Sequence, residues 1–134
     1  MNAPLPPIVL RDLLEGSLSD VRGSFVPLCE GVEILPLYGP DTGDSKAVSD
    51  EPSAALIRYQ PGAQVRRHLH RGYEHIIVLS GEQSDERGSY GKGTCVINPP
   101  GTSHQVRSEQ GCLVLVIWDH PVEFGVAGAT EEES

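Results

Sequence analysis

The chain has 134 residues, enough for one domain with a buried core, and 38% apolar against 22% charged residues marks it as globular. A formal net charge of −9 sets it against phosphate backbones and anionic lipid, so neither nucleic acid nor a membrane surface is an expected partner. No apolar run approaches the ~20 residues that span a bilayer, and Met1-Asn2-Ala3-Pro4-Leu5-Pro6-Pro7 lacks the basic and apolar regions of a secretory signal, so a cytoplasmic location is expected.

Along the chain, residues 1–24 promise an arm with little regular structure: proline-rich over 1–8, with one short amphipathic turn of helix over 10–18. Residues 31–37 alternate as a strand, and Gly39-Pro40-Asp41-Thr42-Gly43-Asp44 is a turn cluster. Further strands are predicted over 54–60, 64–70, 74–80, 94–98, 104–107 and 113–118, separated by Gly-, Pro- and Ser-rich turns that include Gly88-Ser89-Tyr90-Gly91-Lys92-Gly93. Leu113-Val114-Leu115-Val116-Ile117-Trp118 is apolar on both faces, as a buried central strand or a pairing surface would be. Residues 125–134, ending near Glu131-Glu132-Glu133, read as a disordered acidic tail. No helical period interrupts the strand series, which excludes a parallel βαβ sheet. Short antiparallel strands that must hide their edges close on themselves, so the expected fold is all-β: a double-stranded β-helix, or jelly-roll barrel, in a single domain over 25–124.

Cys29, Cys95 and Cys112 form no Cys-x-x-Cys pair and cannot build a thiolate zinc site. They are expected to be small reduced hydrophobes in or near strands.

Chemistry concentrates in two blocks. The first is Gly62-x5-His68-x-His70-x3-Glu74-x6-Gly81, and the second is Gly93-x5-Pro99-x-Gly101-x2-His104. His68 and His70 are two apart, which on a strand puts both rings on one face. Glu74 adds a carboxylate and His104 a third imidazole from a distant strand. A lone histidine on a strand is ordinarily core or surface, but these four together form the ligand set of one divalent transition metal per chain: Fe2+, Mn2+, Ni2+, Cu2+ or Zn2+. Asn98-Pro99-Pro100-Gly101 must reverse the chain to bring His104 back to the first pair, with Gly101 free to take a positive φ.

Strand parity then assigns the neighbours. Arg66 and Gln64 should share the inward face of His68 and His70 unless a bulge intervenes. Glu74 should face in with Ile76 and Val78, while His75 points away with Ile77 and Leu79. His120 falls in a loop. Glu74 is a candidate ligand, or a catalytic base if burial raises its pKa. Arg66 and Tyr59 are candidates for a substrate pocket, and Tyr73 and Trp118 for its mouth. A charged residue is rarely buried alone, so Arg66 fits equally well at the rim.

The two blocks are similar to the two sequence blocks of the cupins, matching at Gly62, His68, His70, Glu74 and Gly81, then at Gly93, Pro99, Gly101 and His104. The one departure is Ser108, where the second block usually closes with Asn. The runs 56–62, 78–85 and 98–101, with Gly111-Cys112, resemble a narrower group: the cupin half of ChrR-type anti-sigma factors and small acetylacetone-cleaving-type dioxygenases. The likeness spans roughly residues 31–119. It implies a jelly-roll barrel, commonly a homodimer, holding a metal. It also implies either a non-haem dioxygenase acting on a small enol-, diketone- or diol-like molecule, with isomerase or lyase chemistry as a near alternative, or a non-catalytic metal-dependent sensor module. Residues 1–30 hold no His-x3-Cys-x2-Cys motif and no room for the zinc-binding helical domain of those anti-sigma factors.

Overall fold

The computed structural model describes residues 5–40 and 50–124. After a single 3-10 turn at Leu13–Glu15 come β1 (Val26–Cys29), β2 (Val32–Tyr38), β3 (Ser53–Tyr59), β4 (Ala63–Leu69), β5 (Glu74–Asp85), β6 (Gly88–Gly91), β7 (Cys95–Asn98), β8 (Ser103–Ser108), β9 (Cys112–Trp118) and β10 (Glu123–Phe124). Every pairing is antiparallel, in the order β1-β2-β3-β9-β5-β8-β4-β10, with β6 and β7 also on β5. The twelve-residue β5 belongs to two layers. Its first half lies between β9 and β7, and its second half pairs with β6 and β8. The sheet therefore curls over an interior lined by Val32, Ile57, Ile76, Val78, Val114 and Val116, the jelly-roll expected from the strand series.

Three strands were not legible in the sequence: β1, β6 and β10. Gly88–Gly91 reads as a turn by composition, yet it pairs residue for residue with 82–85 of β5. Strand β5 also continues past Ser80: Gly81, at φ 76°, stays paired with Cys112 instead of ending the strand. The register against β9 slips between Val78 and Ser80. Ahead of the slip Glu74, Ile76 and Val78 face inward; beyond it Gln83 and Asp85 do, with 3% and, for the Asp85 side chain, 4% exposure.

The outer face carries a second cluster of Leu35, Leu56, Leu79 and Leu113. Leu13, Leu18, Val21 and Phe25, from the segment before β1, pack against it. Strand β9 is a central strand between β3 and β5, with Val114 and Val116 inside and Leu113 in this outer cluster. All three cysteines are free and sit at strand ends, as expected; Cys112 is the buried one, and burial pushes its thiol up to about 11. Cys29 and Cys95 are exposed because they end β1 and begin β7, short strands with a neighbour on one side only. Most of the turn cluster at 39–44 and the acidic tail lie outside the described residues.

Gly81 is the tightest of the block glycines. A Cβ there would meet the Gly111 carbonyl oxygen and the Cys112 backbone, whereas one at Gly62 (φ 85°) meets nothing within 4 Å. Gly62→Ala should cost about 1 kcal/mol for the left-handed backbone alone. Gly81→Ala should cost about 1–3 kcal/mol more from overpacking against backbone that cannot yield. Urea unfolding of both variants checks this, and equal losses would refute the steric account.

Candidate metal centre

The turn and the strand register bring the block residues together. His68 and His104 are direct partners across β4 and β8. His70, just past β4, exchanges backbone hydrogen bonds with the proline turn: its N–H donates to the Thr102 carbonyl and its carbonyl accepts from Gly101 N–H, both at 2.8 Å. Gly101 has φ 90°, as the chain reversal requires. Glu74 opens β5 opposite Asn98 and Trp118. Ligand-type atoms of His68, His70, Glu74 and His104 all lie within 4.8 Å of one another, and the residues are 5%, 1%, 3% and 1% exposed.

Each imidazole is held from behind. His68 Nδ1 is 3.0 Å from the Arg66 carbonyl oxygen and His104 Nδ1 is 3.0 Å from Asp85 Oδ2. His70 Nδ1 is 3.0 Å from Thr102 Oγ1, whose own proton goes to the Pro99 carbonyl at 2.6 Å. All three partners are acceptors, so each Nδ1 carries the proton and each Nε2 lone pair points into the cluster. There the His68 and His104 Nε2 atoms stand 3.1 Å apart, and Glu74 Oε1 lies 2.9 Å from His70 Nε2 and 3.6 Å from His104 Nε2. His70 Nε2 is buried and, despite that closeness, makes no angularly sound hydrogen bond. Converging lone pairs without protons between them repel, and a cation removes the repulsion. Donors bound ~2.1 Å from one ion sit ~3.0–3.4 Å from each other, and the contacts of 2.9, 3.1 and 3.6 Å here are close to that spacing within a cluster spanning at most 4.8 Å. The residues fit a divalent metal with nitrogen and oxygen ligands, and the outer hydrogen bonds are those that orient such ligands.

Burial holds the His68 imidazole down to about 4, against 6.5 ordinarily, and lowers His104 too, Glu74 partly offsetting both. Burial alone would raise Glu74, but the adjacent His70, with His68 and His104, outweighs it and lowers its carboxyl to about 2. The condition for a good base, a raised Glu74 pKa, is therefore not met. Trp118 Nε1–H donates to Oε2 at 2.7 Å and the Asn98 amide to Oε1 at 3.0 Å, which fixes the carboxylate.

Parity fails at Arg66 and Gln64. Strand β4 slips between Val65 and His68, so Val65 and His68 face in while Arg66 and Gln64 are exposed. The Arg66 guanidinium lies over the Phe124 ring, 4.7 Å from its centroid, and does not line the interior cavity. Tyr59 and Trp118 do line it, whereas Tyr73 is 46% exposed. His75 faces away from the cluster, as expected. Ser108, standing for the usual Asn, is fully buried and donates to the Glu82 carbonyl at 2.6 Å, tying β8 to β5. Sequence reasoning missed Asp85, Thr102, Asn98 and Gln83. Asn98 and Thr102 flank the proline turn and were within reach, while Gln83 and Asp85 were hidden by the bulge. The cavity encloses ≈ 500 Å³ including solvent at its mouth, with His68, Glu74 and His104 in its wall among mostly carbon side chains.

A curled antiparallel barrel whose interior carries this histidine–carboxylate cluster defines a cupin. Within that superfamily the chain belongs to the ChrR cupin-like domain family, whose model matches residues 20–121. It is 33% identical over 125 residues to the anti-sigma-E factor ChrR of Cereibacter sphaeroides, covering 90% of this chain and 53% of that protein. It thus spans about half the length of this curated relative. Two solved structures share the fold. The Rhodobacter sphaeroides SigE–ChrR complex aligns with TM-score 0.61 and 29% identity over 76% of this chain and 50% of that one. An acetylacetone dioxygenase from Acinetobacter johnsonii aligns with TM-score 0.70 and 12% identity over 97% and 84%. No described helix is long and apolar enough to cross a membrane.

Two expectations follow. Asp85→Ala should weaken divalent-metal affinity about 10–100-fold and Asp85→Asn, which keeps an acceptor for His104 Nδ1, much less; competition with a chromophoric chelator reads both, and equal losses would remove Asp85 from the site's support. The second concerns pH. Metal-free protein should lose stability as pH falls from about 6.5 to about 4, because the unfolded chain takes up the His68 and His104 protons first. The His68 part is on the order of 3 kcal/mol. The Glu74 contribution follows below its ordinary 4.5 and is lost toward about 2. Thermal melts across pH 4–7 with His68→Gln as control test it: a flat profile contradicts the burial argument.

Proposed function

We propose that this cupin is a metal-dependent dioxygenase acting on a small enol- or diketone-like molecule in the cavity, its metal held by His68, His70, Glu74 and His104. What carries the reading is the convergence of three Nε2 lone pairs and Glu74 Oε1 beside an apolar, ligand-sized space. A bound redox-active divalent ion supplies Lewis acidity toward an enolate oxygen and electron exchange with dioxygen. The chain's own groups do the rest. The three Nδ1 acceptors hold the imidazoles in one tautomer, Trp118 and Asn98 fix the carboxylate, and carbon walls keep bulk water away. Glu74 serves as a ligand, given its lowered pKa and two fixed hydrogen bonds. A homodimer would use the outer sheet face near Ile97, which is 55% exposed.

Family membership favours a second reading, a metal-dependent sensor module related to the cupin half of ChrR, the protein whose solved complex holds SigE. One experiment separates the two. Protein purified without chelator or affinity metal is analysed for elements, then offered diketones under air and under nitrogen. Oxygen-dependent loss of the diketone, abolished in His70→Ala and His104→Ala, supports the dioxygenase. Metal retention without turnover, together with recovery of a sigma factor from a lysate of the source cells, supports the sensor. Absence of metal after Fe2+, Mn2+, Ni2+ and Zn2+ additions defeats both.

A further inference from the structure

The cavity wall is chemically uneven. Leu28, Ile34, Ile57, Val65, Val106 and Val122 are among its carbon side chains, and among the described residues it includes no Lys or Arg. Apart from the His–Glu cluster, its polar side chains are Tyr59, Gln83 and the indole of Trp118, and the indole N–H is committed to Glu74. Tyr59 and Gln83 are 6% and 3% exposed.

Register sets this pair apart from Glu74 along the interior: against β9, Glu74 pairs with Trp118 and Tyr59 with Cys112, and Glu74, Tyr59 and Gln83 all line the same cavity. Gln83 reaches the same level from the opposite layer, one residue before the Ser84–Arg107 pair. Among the described residues the Gln83 amide is set against the Tyr59 hydroxyl, which burial raises well above its usual range. The phenol is therefore a neutral donor at any physiological pH. A hydroxyl has one donor and two acceptor sites, and a primary amide has two donors and one oxygen. A ligand oxygen that enters the cavity lined by both residues therefore meets a phenol donor and amide donors there.

We propose that Tyr59 and Gln83 form a second polar anchor that receives a neutral oxygen of the ligand, so that the cavity selects molecules with a metal-binding oxygen head, a hydrocarbon body and one distal hydroxyl or carbonyl. Absence of a cation in the wall disfavours a distal carboxylate or phosphate. Two polar side chains cannot satisfy the many hydroxyls of a sugar. This rests on the small-molecule reading of the metal centre given above, and it assigns specificity to residues outside the metal-ligand set.

The test uses Mn2+-loaded protein under nitrogen, with calorimetric affinities for 2,4-octanedione, its 8-hydroxy derivative and glucuronate. The ratio of affinities, hydroxylated over plain dione, should fall about 5–10-fold in Tyr59→Phe and in Gln83→Met, with metal affinity unchanged in both. Each variant is near-isosteric, and either one that folds decides the question. A ratio that stays within about twofold of wild type overturns the anchor, as does glucuronate binding as tightly as the hydroxylated dione. Metal affinity is titrated separately. If no metal is taken up, the metal reading falls, and the ratio measured by thermal shift on the metal-free protein still decides the anchor.

Discussion

Strand β5 is a member of both layers of the barrel, and a single slip in its register decides what the interior contains. Before the slip its even residues face inward, which delivers Glu74; after it the odd residues do, which delivers Gln83 and Asp85. Without the extra residue, Asp85 would point to solvent and His104 would lose the acceptor that fixes its tautomer. The slip is pinned from outside. Leu79 sits within it and Leu113 faces Ser80, and both are buried in the outer cluster that the segment before β1 covers. Hydrophobic burial on one face of the sheet thus fixes the position of polar groups on the other.

Those polar groups are costly to bury. Three imidazoles and a carboxylate sit almost wholly out of water, in a wall of carbon. The fold meets the cost asymmetrically. Every Nδ1–H has an acceptor, and both carboxylate oxygens have donors in Trp118 and Asn98. The inward Nε2 atoms have no comparable provision: two face each other and the third makes no hydrogen bond. A scaffold that satisfies every outward atom and holds the inward lone pairs against their own repulsion is preorganised for a cation, with the orienting work done before the ion arrives.

Much of this was legible in the residues themselves. His68, His70, Glu74 and His104 could be read because ligand chemistry needs particular side chains at particular spacings, and Gly101 because a tight reversal needs a positive φ. The strand series was legible because alternation and turn residues are local signals. What could not be read depended on register. Parity put Arg66 inside and gave no reason to look at Gln83 or Asp85, since a bulge is set by how two strands meet and leaves little trace in either alone. Strand β6 failed for the same reason: Gly88-Ser89-Tyr90-Gly91 has turn composition and becomes strand because β5 offers it an edge.

The charge distribution bears on how such a site would be filled. Arg58, Arg67, Arg71 and Arg107 lie outside the cavity in ion pairs with Glu33, Glu86, Glu123 and Glu109. Among the described residues of the wall, Glu74 is the one carboxylate, and no Lys or Arg stands there with it. On a chain of net charge −9, an anionic ligand is repelled on approach, and among the described residues the cavity wall offers it no Lys or Arg, Arg66 standing outside it over the Phe124 ring. A neutral enol or diketone meets neither barrier. It can ionise only where a cation stabilises the resulting oxygen anion, which in this interior means beside the three imidazoles. The imidazoles hold Glu74 low, so without metal it stands ionised, its two oxygens fixed by Trp118 and Asn98, and it brings both charge and geometry to the cluster.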